Sequence, residues 1–285
     1  MDPNTRLLAL ATGLPSTTGG EALPERSAAD RDFLRQAIGS VQGVKQFVPK
    51  LHSYMTTNRN ASDAEEVRLT ALDDIDGAVE DGLNADAFIA MKGHHVVSAL
   101  IQGQGYSEEE KTIALHVLAA TSMNHTQAQA AFLLDGTFDM LCGLTPPSYE
   151  TLYAVACACR GHPPSMCHYQ TKHNGVQSLV AIVSCKETHV RLRQCACRFL
   201  NDVLFEGGVV TGAELVAMLP MVTSEELETH RAFVRCLRTA VNLTWKEKSV
   251  ETWAPEERAK VKTFVVGVTD EESIEARAEI LSRLP

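Results

Sequence analysis

Hydrophobic positions along the chain recur every three to four residues, and no two-residue alternation persists beyond a few positions. Leu192, Cys195, Phe199 and Val203 form one apolar stripe, and Ala196, Leu200 and Leu204 add a second row beside it. A face that wide cannot be buried against a single neighbour, so this helix is expected to be packed between others, with Phe199 pointing between stacked units. Helix starts are predicted where a Ser or Thr precedes an acid by three residues, because each side chain then satisfies an orphan backbone donor beside the other. Those pairs are Ser27/Asp30, Ser62/Glu65, Ser107/Glu110, Thr223/Glu226 and Thr269/Glu272, and Pro255 suits the first turn of another helix. The pattern predicts an all-α chain.

The helices recur as a unit. Gly93, Gly136, Gly175 and Gly212 each precede an apolar run, at spacings of 43, 39 and 37 residues. Armadillo and HEAT units repeat at about 40–47 residues, whereas ankyrin and tetratricopeptide units are shorter. The expected fold is an all-α, armadillo-like α-solenoid of about four repeats with helical caps. Residues 1–24, broken by Pro3, Pro15 and Gly19-Gly20, read as an arm without helical period. The repeat domain is expected over 25–285, with caps at about 25–62 and 223–285 and repeats at about 63–222. A concave face would be built from the helices that follow each Gly. Their polar positions are His94, His95, Ser98, Asp139, Gln177, Ser178 and Glu214, which are the candidate partner contacts. His94 and His95 open such a helix and read equally as partner contacts or as a polar turn. Glu214 is expected at the surface, where charge reversal leaves stability nearly unchanged.

Charge narrows the partners. With 26 Lys+Arg against 36 Asp+Glu, the formal charge is −10, which disfavours nucleic acid as a ligand. No apolar run approaches the roughly 18 residues that span a bilayer. Leu7 to Leu14 lacks a small-residue cleavage site, so a cytoplasmic protein, monomeric on its own, is expected. Nine acids and one base, Arg68, lie between Asp63 and Asp86. That run reads as a solvated helix face or as an acidic edge for a basic partner surface. Arg231, Arg235 and Arg238 form a helical stripe preceded by Glu225, Glu226 and Glu228, which points to pairing within the helix.

The densest set of potential metal ligands is Cys157, Cys159, His162, Cys167, His168 and His173. Cys157 and Cys159 lie about 200° apart around a helix, so they diverge where zinc requires convergence. Nothing marks a base or oxyanion site for a Cys-His hydrolase. The expectation is therefore no catalytic residue, no metal and no cofactor.

Several segments resemble the armadillo-type nucleotide exchange factors of heat shock protein 70. VEDGLNADAFIAMKG (Val79 to Gly93) resembles the family's V-E-D-I-D-N-A-x-D-F-x-x-M-G-G signature, and NHTQAQAAFLLDG (Asn124 to Gly136) its N-N-P-x-x-Q-x-x-F-L-x-x-G. RQCACRFLNDVL (Arg193 to Leu204) is similar to K-x-A-F-L-L-x-N-L-L, and SAADRDFLRQAI (Ser27 to Ile38) to the family's entry helix. Gly82-Leu83, His125-Thr126 and Lys92-Gly93 depart from the family's Ile-Asp, Asn-Pro and Gly-Gly. The resemblance implies a non-enzymatic co-chaperone that grips the nucleotide-binding domain of heat shock protein 70 and promotes release of ADP and substrate. Glu80 and Asp81 would belong to the gripping edge. Arg6, Leu7 and Leu8 would supply the arm that displaces substrate. The alternative is an armadillo-like scaffold binding an unrelated protein or peptide. Such scaffolds hold a peptide backbone with an Asn ladder, which the post-Gly helices lack.

Overall fold

A computed structural model describes residues 43–222, 226–246 and 253–284. Among them every regular element is a helix and no strand occurs. The fold is an all-α, armadillo-like solenoid. The segments 1–24 and 27–38 and the Thr223 cap lie outside the described residues.

The chain divides into two compact units between Thr137 and Phe138. The first contains α1 (43–55), α2 (Ala64–Val79), α3 (Gly82–Ala90), α4 (Gly93–Gln102), α5 (Glu108–Ser122) and α6 (Thr126–Leu134). The long helices α2 and α5 pack along each other, α4 lies on α5, and α3 touches α2, α4 and α6. Leu72, Ile75, Phe88, Leu100, Leu118 and Phe132 fill the interior. Burying each of these side chains contributes roughly 1.5–3 kcal/mol.

The second unit holds α7 (Thr137–Gly143, its first residue aside), α8 (Tyr149–Cys159), α9 (Pro163–Lys172), α10 (Gly175–Ser184), α11 (Val190–Phe205), α12 (Gly212–Met218), α13 (Leu227–Lys246), α14 (Pro255–Val266) and α15 (Ile274–Arg283). Here α8, α11, α13 and α15 stack in succession, and α10 bridges α11 and α12. The two apolar rows of α11 are buried as their width requires, and Phe199 stacks on Tyr169 with ring centroids 5.0 Å apart. In the fourth repeat the chain runs from α11 to α12 through a turn, without the short helix present in the first three.

Two of the repeat glycines, Gly93 and Gly175, have a steric cause, whereas Gly136 has open space beside it and a φ of +85°. A Cβ at Gly93 would stand 2.3 Å from the Phe88 ring, and one at Gly175 would stand 2.4 Å from Tyr169. The residue before each, Lys92 and Asn174, takes a left-handed conformation to start the helix.

Two expectations about caps and charges need correction. Ser107/Glu110 forms the predicted capping box, and Thr211/Glu214 forms another. Ser62/Glu65 does not, because the residue that precedes the first turn of α2 is Asp63, one position later, and Thr269 yields to Asp270, whose carboxylate accepts from the Ser273 N–H. The arginine stripe of α13 pairs mainly outside its own helix. Arg231 meets Glu228 but also Asp270 and Glu272, Arg235 meets Glu272, and Arg238 meets Glu279 of α15. The stripe lies along the seam where α15 packs.

Candidate functional site

The post-Gly helices do not present all their polar residues outward. His94 and Ser98 of α4 are buried, so neither offers a partner the surface predicted for it. The left-handed Lys92 sets the rotation of α4, turning His94 inward beside Phe132 and leaving His95 exposed. Gln177 and Ser178 of α10 are exposed. Glu80 and Asp81 are exposed in the turn between α2 and α3, where Asp81 also caps α3 by accepting from the Leu83 N–H at 2.9 Å. Glu214 is occupied: its carboxylate accepts from the Thr211 N–H at 2.7 Å and the Thr211 hydroxyl at 2.9 Å. The expectation that Glu214→Lys leaves stability untouched is therefore corrected, since it breaks a cap. Arg6, Leu7 and Leu8 lie outside the described residues.

Two clusters of histidines around a carboxylate emerge from residues far apart in sequence. In the first unit, the His94 Nε2 donates to Asp135 Oδ2, and the His95 Nε2 lies 3.3 Å from the same oxygen. The His94 ring sits against Phe132 and His95, with its Nδ1 buried and unpaired. Burial pushes the His94 pKa down against the opposing pull of Asp135. Asp135 is held below the usual carboxylate range: its hydrogen bonds from His94 and Thr137 outweigh the effect of partial burial.

In the second unit, Asp139 of α7 gathers three donors. His168 Nε2 lies 2.7 Å and His173 Nε2 2.8 Å from its Oδ1, and Lys172 Nζ lies 2.7 Å from Oδ2. These contacts overcome the small burial cost and hold Asp139 well below the usual carboxylate range. Both imidazole edges approach the buried Phe138 ring, at centroid distances of 5.9 and 6.3 Å. Sequence reasoning singled out His168 and His173 as ligand types but grouped them with cysteines. The structure instead joins them to Asp139, while Cys157 and Cys159 point into the core and His162 caps α9. In the stacked repeats, His94 and Asp139 follow one repeat glycine closely and meet Asp135 and His173, which precede the next.

The acidic run divides by burial. Arg68 turns inward to Glu110 of α5 with both side chains buried. Asp73, Asp74, Glu80, Asp81 and Asp86 are exposed, and His125 approaches Asp86 at 3.3 Å. Their exposure gives the α2–α3 edge a strong negative charge. An apolar groove of about 590 Å³ in the second unit was not foreseen. Leu141, Leu144, Pro146, Tyr169, Ile182 and Leu192 line it, contributed by α7, the turn after it, α9, α10 and α11. The thiols of half-buried Cys142 and of buried Cys195 and Cys197 are poor nucleophiles, because desolvation pushes them up to about 12. No helix among the described residues is long and apolar enough to cross a membrane.

No protein-family model matches the chain, and no curated protein is similar to it in sequence. Its similarity is to solved structures. An engineered protein from the Northeast Structural Genomics Consortium is 18% identical, aligns over 85% of this chain and 96% of its own, and has a TM-score of 0.59. A designed armadillo repeat protein in complex with the peptide (KR)4 is 14% identical over 84% of this chain and 98% of its own, also at 0.59. A second engineered protein from the same consortium covers 99% of this chain and 71% of its own, at 15% identity and a TM-score of 0.61. At these identities the likeness establishes the armadillo-like fold.

Proposed function

We propose that the chain is a protein-binding co-chaperone, a cytoplasmic nucleotide exchange factor that grips the nucleotide-binding domain of heat shock protein 70. The observation that carries this reading is the ordered resemblance of Val79 to Gly93, Asn124 to Gly136 and Arg193 to Leu204 to that family. Its support lies in the register of those segments. The first two each run from the end of a long helix through a short one to a repeat glycine, and the third lies on the most deeply packed helix of the second unit. The exposed acids of α2–α3 and the exposed His95, Gln177 and Ser178 are the side chains available for contact.

Such a factor performs no covalent chemistry. It binds the open, nucleotide-free arrangement of the chaperone's lobes more tightly than the closed one, and that difference drives ADP out. By linkage, ADP must weaken the factor's own binding by the same ratio. Stopped-flow release of labelled ADP from a cytosolic heat shock protein 70 tests the reading. Acceleration that saturates with this protein is expected, and an unchanged rate at saturating protein defeats it.

A second reading is favoured by the solved complex of the designed armadillo repeat protein with (KR)4. A chain of net charge −10 with an exposed acidic edge suits a basic extended peptide. The post-Gly helices α4, α7, α10 and α12 carry no Asn, which favours the exchange factor. A basic peptide that binds without displacing heat shock protein 70 would separate the two surfaces.

A further inference from the structure

We propose that Asp139, His168 and His173 form a binding site for a late first-row divalent cation, with zinc the best fit. Two imidazoles and one carboxylate are a ligand set that zinc accepts, and three protein ligands leave a position open for water or a ligand. The three ligand atoms lie within 4.8 Å of one another, and both imidazole nitrogens face a single oxygen, Asp139 Oδ1, at 2.7 and 2.8 Å. Ligands held about 2.0–2.2 Å from one ion stand roughly 3 Å apart, so carboxylate and imidazoles already have nearly the separation needed. The two imidazoles, within 4.8 Å of each other, need approach by at most about 1.5 Å to reach tetrahedral spacing. Side chains that are 28% and 19% exposed have the freedom to do so, and the same exposure admits the ion.

The surroundings are those of a prepared site. Lys172 holds the other carboxylate oxygen, Oδ2, and so fixes the direction in which Oδ1 points. Phe138 braces both imidazole rings from below. The three ligands come from α7, α9 and the turn that follows α9, so an ion would tie one repeat to the next within the second unit. Lys172 also places a positive charge near the ion, which lowers the affinity below that of the same ligands alone. The cluster in the first unit is less suited. His94 is fully buried and closed onto Asp135, so an ion would have to displace a packed ring.

The test is calorimetric titration of the full chain with zinc, paired with the absorption spectrum of cobalt as a substitute ion. One zinc per chain is expected, with a rise in melting temperature that grows with zinc concentration. Asp139→Asn, His168→Gln and His173→Gln should each weaken binding at least about tenfold while melting normally without metal. His95→Gln should leave it unchanged. Absence of saturable uptake overturns the proposal, as does equal binding by wild type and Asp139→Asn. A strong sulfur-to-cobalt band would place the ion on an exposed thiol, Cys167 or Cys185, and would equally overturn it. Calorimetric failure would leave the chaperone reading untouched, because ADP release is measured separately.

Discussion

Arg68 of α2 reaches the first turn of α5 to meet Glu110, and Arg193 of α11 reaches the residue before α13 to meet Glu226. One device thus joins successive long helices in both units, but the surroundings differ. The Arg68 and Glu110 side chains are 6% and 1% exposed, whereas Glu226 is 30% exposed. The histidine–carboxylate clusters repeat the contrast: the first unit buries His94, and the second leaves Asp139 and its three donors partly open to water. Residue types alone do not fix what a charged pair does. Removing water makes the loss of one partner costly, because the other charge is left buried alone, and keeping water leaves the groups reachable by ligands.

The largest predicted effect breaks the sealed pair. Glu110→Gln leaves the buried Arg68 guanidinium without its counter-charge, and its single amide oxygen cannot serve both Arg68 and the Ser107 N–H. The expected loss is about 3–5 kcal/mol in urea unfolding. Glu226→Gln should cost only about 1–2 kcal/mol, because Arg193 retains the Cys185 and Thr188 carbonyls at 3.3 and 3.0 Å. Equal losses from the two variants would show that solvent access is not what separates these pairs.

Phe199 and Phe205, on the same helix, offer the next contrast. Phe199→Ala is expected to cost about 3 kcal/mol, at the low end for a buried Phe, because the groove beside Tyr169 gives the site room to relax. Phe205 is 72% exposed, and its truncation should stay within about 0.5 kcal/mol. Reversal of that order, read from urea midpoints, would defeat the placement of α11 between its neighbours.

The repeats were legible because each has a local cause. A glycine is required where a ring fills the space of its Cβ, as at Gly93 and Gly175, and those glycines set the period. The double apolar row of α11 announced packing on two sides. What escaped was rotation and partnership. In GHHVVSALIQ both first positions after the glycine are polar, so only the conformation of Lys92 decides that His94 goes in and His95 out. The Asp135 and Asp139 clusters join residues 29 to 41 positions apart, which no local pattern reports. Their common rule, that residues flanking one repeat glycine meet those flanking the next, becomes visible only once repeats are stacked.

Acid should expose the sealed cluster more gently than mutation does. His94 has a lowered pKa in the folded protein, chiefly from burial, against about 6.5 in the unfolded chain. Below that value the unfolded chain takes up a proton that folded His94 resists. Stability is therefore full above about pH 6.5 and falls as pH drops toward the lowered folded value. His162 and His230, also lowered by burial, add to the same slope. Each contributes at most about 1.4 kcal/mol per pH unit. His94→Gln should be shallower than wild type by up to one such increment between pH 6.5 and 5. An unchanged slope in urea unfolding would mean that His94 titrates alike in both states.

The smallest effect lies in the open cluster, and its value is in its sign. Lys172 is 55% exposed, and its contact with Asp139 is a surface ion pair. Lys172→Met should change stability by less than about 0.5 kcal/mol, and less again at high salt. The same change frees Asp139 Oδ2 and removes a positive charge close to the proposed ion, so zinc should bind more tightly, by a few-fold. The gain should shrink as salt screens the charge. Tighter zinc binding with unaltered melting is the outcome of a site whose carboxylate is shared between a lysine and a cation. Weaker binding would mean that the hold of Lys172 on the carboxylate matters more than its charge. A large loss of stability would mean that the open cluster is as structural as the sealed one, and the contrast between the two units would fail at its weakest pair.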